Sequence, residues 1–128
     1  MNYLLDTHSL MWFLSGDVQL SARARQLMED EDNELFLSVA SLWEMAIKFS
    51  LGKLTLEQSF EQMFPQQLDR NSISVLGITL DHLKAVCNLP FHHRDPFDRL
   101  IVAQAQVERM AVISTDAMLD RYGLNREW

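Results

Sequence analysis

A chain of 128 residues fits one domain and leaves little room for a second, and a hydrophobic content of 48% supports a packed core and excludes a disordered chain. The net charge of −7 is unusual for a protein that grips a polyanion through a basic face. Either no nucleic acid is bound, or some acids are gathered to hold cations that then face the phosphate; composition leaves both open.

The first six residues, Met1 to Asp6, contain no basic region and meet an acid at once, so they read as the first strand of a cytoplasmic protein rather than a signal peptide. Residues 2–5 form that strand. Thr7 to Leu14 is too apolar all round to face solvent, and Trp12 and Phe13 suit core packing or a subunit interface. After a Ser-Gly-Asp turn, Ser21 is placed to cap a helix running to about Glu31, with Leu20, Ala24, Leu27 and Met28 on one face. Glu34 to Ser38 is the second strand, and a helix from Val39 to Leu51 is stopped by Gly52. A further helix is expected over residues 55–69, broken at Pro65. Ser72 to Leu76 gives a third strand and Leu80 to Leu89 a helix in which the single cysteine, Cys87, reads as a small packed hydrophobe. A polar loop leads into a long helix from Pro96 to Arg109. Met110 to Ser114 is the fourth strand, Asp116 to Tyr122 a short helix, and the tail is a candidate fifth strand.

Strands alternating with helices at these lengths specify an α/β fold, with a central, mainly parallel sheet of four to five strands covered on both faces in one domain over residues 1–128. In such a sheet the strand C-termini share one rim, where ligands bind near the topological switch point. No segment reaches the roughly 20 apolar residues a membrane span needs.

Four acids fall at strand ends or helix starts: Asp6, Glu44, Asp98 and Asp116. Each has a structural explanation. Ser41 with Glu44 fits a capping box; Asp95-Pro96-Phe97-Asp98 fits a capped helix start; Asp6 and Asp116 could cap the helices that follow them. Taken together they also fit a metal site. Carboxylates packed on one rim repel one another, and a divalent cation relieves the repulsion. All-oxygen donors suit Mg²⁺ or Mn²⁺ rather than Zn²⁺, and these ions promote phosphodiester hydrolysis by activating water and stabilising transition-state charge. His92 and His93 do not make a zinc site, because neighbouring residues rarely converge on one ion and no further close His or Cys completes a tetrahedral set. Arg94 and Arg99 are candidate RNA phosphate contacts, with surface ion pairing as the alternative. Lys48 and Lys53 read as solvated helix positions. A phosphoaspartate phosphatase is disfavoured by His8, which stands where a second aspartate would be needed. A receiver domain is disfavoured by the lack of an acid pair near the first strand. The remaining rival is a binding module whose acids only cap helices.

Leu4-Leu5-Asp6-Thr7-His8, Ser38-Val39-Ala40-Ser41-Leu42-Trp43-Glu44 with Ala46-Ile47-Lys48, and Leu51-Gly52-Lys53-Leu54 form a series. It continues through Leu89-Pro90-Phe91-His92-His93-Arg94-Asp95-Pro96-Phe97-Asp98-Arg99-Leu100, Ile101 to Ala105, Ser114-Thr115-Asp116 and Tyr122-Gly123. In this order and over nearly the whole chain, these segments resemble PIN-domain proteins, specifically the VapC-type toxins of bacterial toxin–antitoxin pairs. The resemblance implies a three-layer α/β/α fold and a metal-dependent endoribonuclease. It also implies that Asp6, Glu44, Asp98 and Asp116 are metal-binding acids, assisted by Thr7 and Ser114. It further implies a homodimer and a cognate antitoxin that covers the active-site groove. Asp95 stays a helix cap in this reading.

Overall fold

A computed structural model describes residues 1–128. The chain opens with β1 (Asn2–Leu5), α1 (Thr7–Ser15) and α2 (Ala22–Glu29), followed by β2 (Glu34–Ser38) and α3 (Val39–Ser50). Two short helices, α4 (Phe60–Met63) and α5 (Gln66–Arg70), lead to β3 (Ile73–Leu76) and α6 (Leu80–Cys87). The long α7 (Pro96–Glu108), β4 (Ala111–Ile113), a 3₁₀ turn (Ala117–Tyr122) and β5 (Arg126–Glu127) complete it. The five strands lie in the order β3-β2-β1-β4-β5 and every pairing is parallel.

Side-chain alternation along β1 splits the core in two. Tyr3 and Leu5 face a cluster with Leu10 of α1, Ala24 and Met28 of α2, Met45 of α3 and Leu68 of α5. Leu4 faces the other way, against Val112 of β4, Ile101, Val102 and Ala105 of α7, and Leu89. The result is the three-layer α/β/α arrangement expected. No helix is long and apolar enough to cross a membrane.

The sheet order creates a crevice. From β1 the chain steps to β2 and β3 on one side, then returns to place β4 on the other side of β1. The C-termini of β1 and β4 therefore flank the switch point, where helices diverge to opposite faces and leave an opening between them. The pairing continues past the strands: the Asp6 amide donates to the Ile113 carbonyl at 3.4 Å, and the Ser9 hydroxyl donates to the same carbonyl at 3.0 Å.

Three local expectations are corrected. Residues 55–59 are not helical, because Ser59 and Gln62 form a capping box that starts α4 only at Phe60. Cys87 is exposed at the last position of α6 instead of packed, as the preceding Ala85 and Val86 occupy the inward side. The cap of α3 is Ser38, whose hydroxyl accepts from the Ala40 amide at 3.0 Å, so Glu44 lies a turn too late to serve in a capping box with Ser41. That releases Glu44 from a capping duty.

Candidate active site

Asp6 leaves β1 and caps α1, with its Oδ1 accepting from the Ser9 amide at 2.8 Å. Its Oδ2 accepts a short hydrogen bond from the hydroxyl of Ser114, which leaves β4 next door. The same Ser114 oxygen accepts from the Asp116 amide at 3.0 Å, so one buried hydroxyl ties together the two aspartates at the ends of adjacent strands. On the other flank the Thr7 hydroxyl donates to Glu44 Oε1 at 2.9 Å, bringing α3 to the start of α1. Thr7 and Ser114, singled out as accessory hydroxyls, thus hold carboxylates in place.

Lys48 sits 3.3 Å from Glu44 Oε2, one turn along α3. It is an ion-pair partner rather than a merely solvated lysine, and the i,i+4 spacing carried that signal in the sequence. Ser41, three residues before Glu44 on the same helix, keeps a buried hydroxyl without a partner.

Asp98 enters from α7. Asp95 caps that helix, accepting from the Phe97 and Asp98 amides at 2.8 and 3.1 Å, and Pro96 fills its first turn without losing a hydrogen bond. Asp98 therefore caps nothing. Burial raises its carboxyl to about 6, the negative charges of Asp95, Glu44 and Asp116 push the same way, and His93 opposes them. Asp98 sits in the first turn of the helix that runs back to β4, which places it at the strand C-terminal rim of the parallel sheet.

His93 is the member whose role the sequence did not reveal. Its Nε2 lies 2.6 Å from Asp116 Oδ2 and its Nδ1 lies 2.8 Å from the Tyr122 hydroxyl. His92 packs edge-on against the same tyrosine, with ring centroids 4.9 Å apart. Below them Arg126 of β5 donates to the Ser114 carbonyl at 3.1 Å and forks onto Asp120, bracing the β4 exit.

The two candidate phosphate contacts part company. Arg94 is exposed in the loop before α7. Arg99 is buried, its guanidinium donating to the carbonyls of Pro90, Val86 and Leu89 with the Phe91 ring 4.0 Å away. These bonds close the 86–91 loop, so in this structure the Arg99 guanidinium serves the loop and is turned away from solvent. Helix periodicity puts Arg99 three positions after Pro96, but only packing decides that it turns inward.

The donors at the rim are carboxylates and hydroxyls, a set whose chemistry fits Mg²⁺ or Mn²⁺. No group of three His, Cys, Asp or Glu side chains is arranged to hold an ion by itself. The acids share a rim without forming a ready cage.

Known proteins share this fold. A family model described as PIN domain matches residues 3–124. Ribonuclease VapC16 of Mycobacterium tuberculosis (strain ATCC 25618 / H37Rv) is 34% identical over 58 residues, covering 45% of this chain and 41% of the relative, less than half its length. Among solved structures, VapBC2 from Rickettsia felis bound to a DNA fragment from its promoter superposes with a TM-score of 0.72 at 15% identity, covering 99% of this chain and 98% of that one. A toxin–antitoxin complex from Klebsiella pneumoniae gives a TM-score of 0.58 at 21% identity, covering 89% and 86%. The structural likenesses speak for the fold, while the family match spans almost the whole chain: this protein belongs to the PIN-domain family.

Proposed function

We propose that this chain is a Mg²⁺- or Mn²⁺-dependent endoribonuclease, the toxin of a toxin–antitoxin pair, with Asp6, Glu44, Asp98 and Asp116 as its cation-binding acids. The observation that supports this reading is that Glu44 and Asp98 cap no helix and yet stand with Asp6 and Asp116 at the switch-point rim. Helix capping accounts for Asp6, Asp95 and Asp116. It leaves Glu44 and Asp98 without a reason, and it leaves the raised Asp98 carboxyl as a cost without a return.

Since no three side chains enclose an ion, the fit is to a cation that takes one or two carboxylates directly and keeps water on its remaining positions, as Mg²⁺ commonly does. When bound, such an ion supplies positive charge against the scissile phosphodiester and polarises water for attack. The chain's own residues do the positioning. Thr7 and Lys48 orient Glu44, Ser114 holds Asp6, and Asp98 is presented by a helix start that Asp95 and Pro96 fix. Arg94, exposed in the loop that leads into the helix of Asp98, is the candidate contact for an RNA phosphate. The net charge of −7 then ceases to argue against a nucleic-acid substrate, because part of it serves to hold cations.

The likeness to a toxin–antitoxin complex supports an antitoxin as protein partner, and the resemblance to VapC-type toxins carries the expectation of a homodimer in the cytoplasm. The test is direct. Purified protein incubated with total RNA should cleave it with Mg²⁺ or Mn²⁺, and Asp98→Asn should not, while keeping its circular-dichroism spectrum. Wild-type cleavage by Asp98→Asn would end the reading.

A further inference from the structure

The Asp116 carboxylate is fixed at both oxygens. Oδ1 accepts from the Met118 amide at 3.0 Å, and Oδ2 lies 2.6 Å from His93 Nε2. The imidazole is fixed in turn: its Nδ1 is 2.8 Å from the Tyr122 hydroxyl, and its ring lies nearly parallel to the phenol, 20° between planes. His93 is 9% exposed while Asp116 is 39% exposed, so the buried member holds the one that faces solvent. The hydrogen bonds fix one of the two nitrogens. A carboxylate only accepts, so Nε2 carries the hydrogen and donates to Asp116; Nδ1 meets the Tyr122 hydroxyl, which donates to a bare nitrogen or accepts from a protonated one.

We infer that Tyr122 and His93 form a positioning relay that orients Asp116 toward the divalent cation, an inference that rests on the proposed function. A carboxylate oxygen has two lone pairs, so the bonds to His93 and Met118 leave a lone pair on each oxygen for the ion or its waters. A free aspartate would have to be ordered when the ion binds; the relay orders it beforehand. Hydrogen-bond partners that orient a metal ligand are commonly worth about ten- to a hundredfold in affinity. The relay also links across the site, because the Asp116 amide donates to Ser114 and the Ser114 hydroxyl donates to Asp6.

The test is Mn²⁺ binding to the RNA-free protein by titration calorimetry, with metal-free melting curves in parallel. His93→Phe removes the donor to Asp116 and should weaken Mn²⁺ binding by about tenfold. Tyr122→Phe keeps the ring stack, loses only the hydroxyl, and should weaken binding by a few-fold. His93→Gln retains an N–H in reach of Asp116 and should recover most of the affinity, which a purely structural role would not predict. Wild-type affinity in both Tyr122→Phe and a folded His93→Phe overturns the relay and leaves the proposed function standing. Tighter Mn²⁺ binding by His93→Phe also overturns it, since the imidazole would then be competing with the cation for Oδ2. If His93→Phe does not fold, Tyr122→Phe and His93→Gln decide alone. No Mn²⁺ binding by the wild-type protein overturns the metal site itself, and the relay with it.

Discussion

The indole of Trp43 on α3 meets the ring of Phe97 on α7 edge to face, with centroids 5.2 Å apart. These aromatics immediately precede Glu44 and Asp98, so the contact between α3 and α7 is made next to two of the candidate site's acids. Trp43 is nonetheless 61% exposed, which limits what it contributes to folding. An aromatic pair of this kind is worth about 0.5–1.5 kcal/mol beyond its buried area. Trp43→Ala should therefore lower the melting temperature modestly but cut RNA cleavage by about tenfold or more, and Trp43→Phe should retain most activity. Wild-type cleavage by Trp43→Ala would show that the acids do not depend on this contact.

The raised Asp98 carboxyl fixes the sign of a pH effect. With a folded value of about 6, above the unfolded one, the metal-free native state binds more protons and loses stability as pH rises from the ordinary carboxylate range through about 6. Screening at a half-buried group leaves roughly 1 kcal/mol of this. Asp98→Asn should then raise the metal-free melting temperature at pH 7 by about 3–5 °C and flatten its decline with pH. Mg²⁺ should stabilise the wild-type protein more than the variant, because it binds only the native site. A lower metal-free melting temperature together with an undiminished Mg²⁺ gain would return Asp98 to a structural role.

Arg99 and Arg94 should separate cleanly. Arg99→Ala orphans the carbonyls of Leu89 and Pro90, takes one of two donors from that of Val86, and should cost roughly 2–3 kcal/mol in denaturant unfolding. Arg99→Lys should restore little, since an ammonium cannot reproduce the planar fork. Arg94→Ala should leave stability unchanged and raise the KM for RNA. Unaltered unfolding of Arg99→Ala accompanied by weakened RNA binding would reverse the two assignments.

Cleavage should stop in excess chelator and return on adding Mg²⁺ or Mn²⁺. By analogy with the family the products should carry 5′-phosphates, detectable by a 5′-phosphate-dependent exonuclease. Activity that persists in chelator would exclude the metal-dependent reading outright.

Apolar periodicity and punctuation in the sequence determined where each candidate acid lies along its element. Strand alternation ends β1 at Asp6, the Asp95-Pro96 start puts Asp98 in the first turn of α7, and a parallel α/β sheet sends strand ends to one rim. These are short-range properties, written in neighbouring residues. What only the tertiary structure decided are bonds between residues far apart in the chain. Thr7 reaches Glu44 across 37 positions and Ser114 reaches Asp6 across 108, and no local pattern encodes either. Arg99 and Arg94 are the same residue type five positions apart, and packing alone turned one inward onto carbonyls and left the other in solvent. His93 had no reading from its neighbours because both its partners, Asp116 and Tyr122, arrive from the far side of β4. A side chain's role depends on which groups the fold sets within about 3 Å of it, and that is fixed only when the layers close.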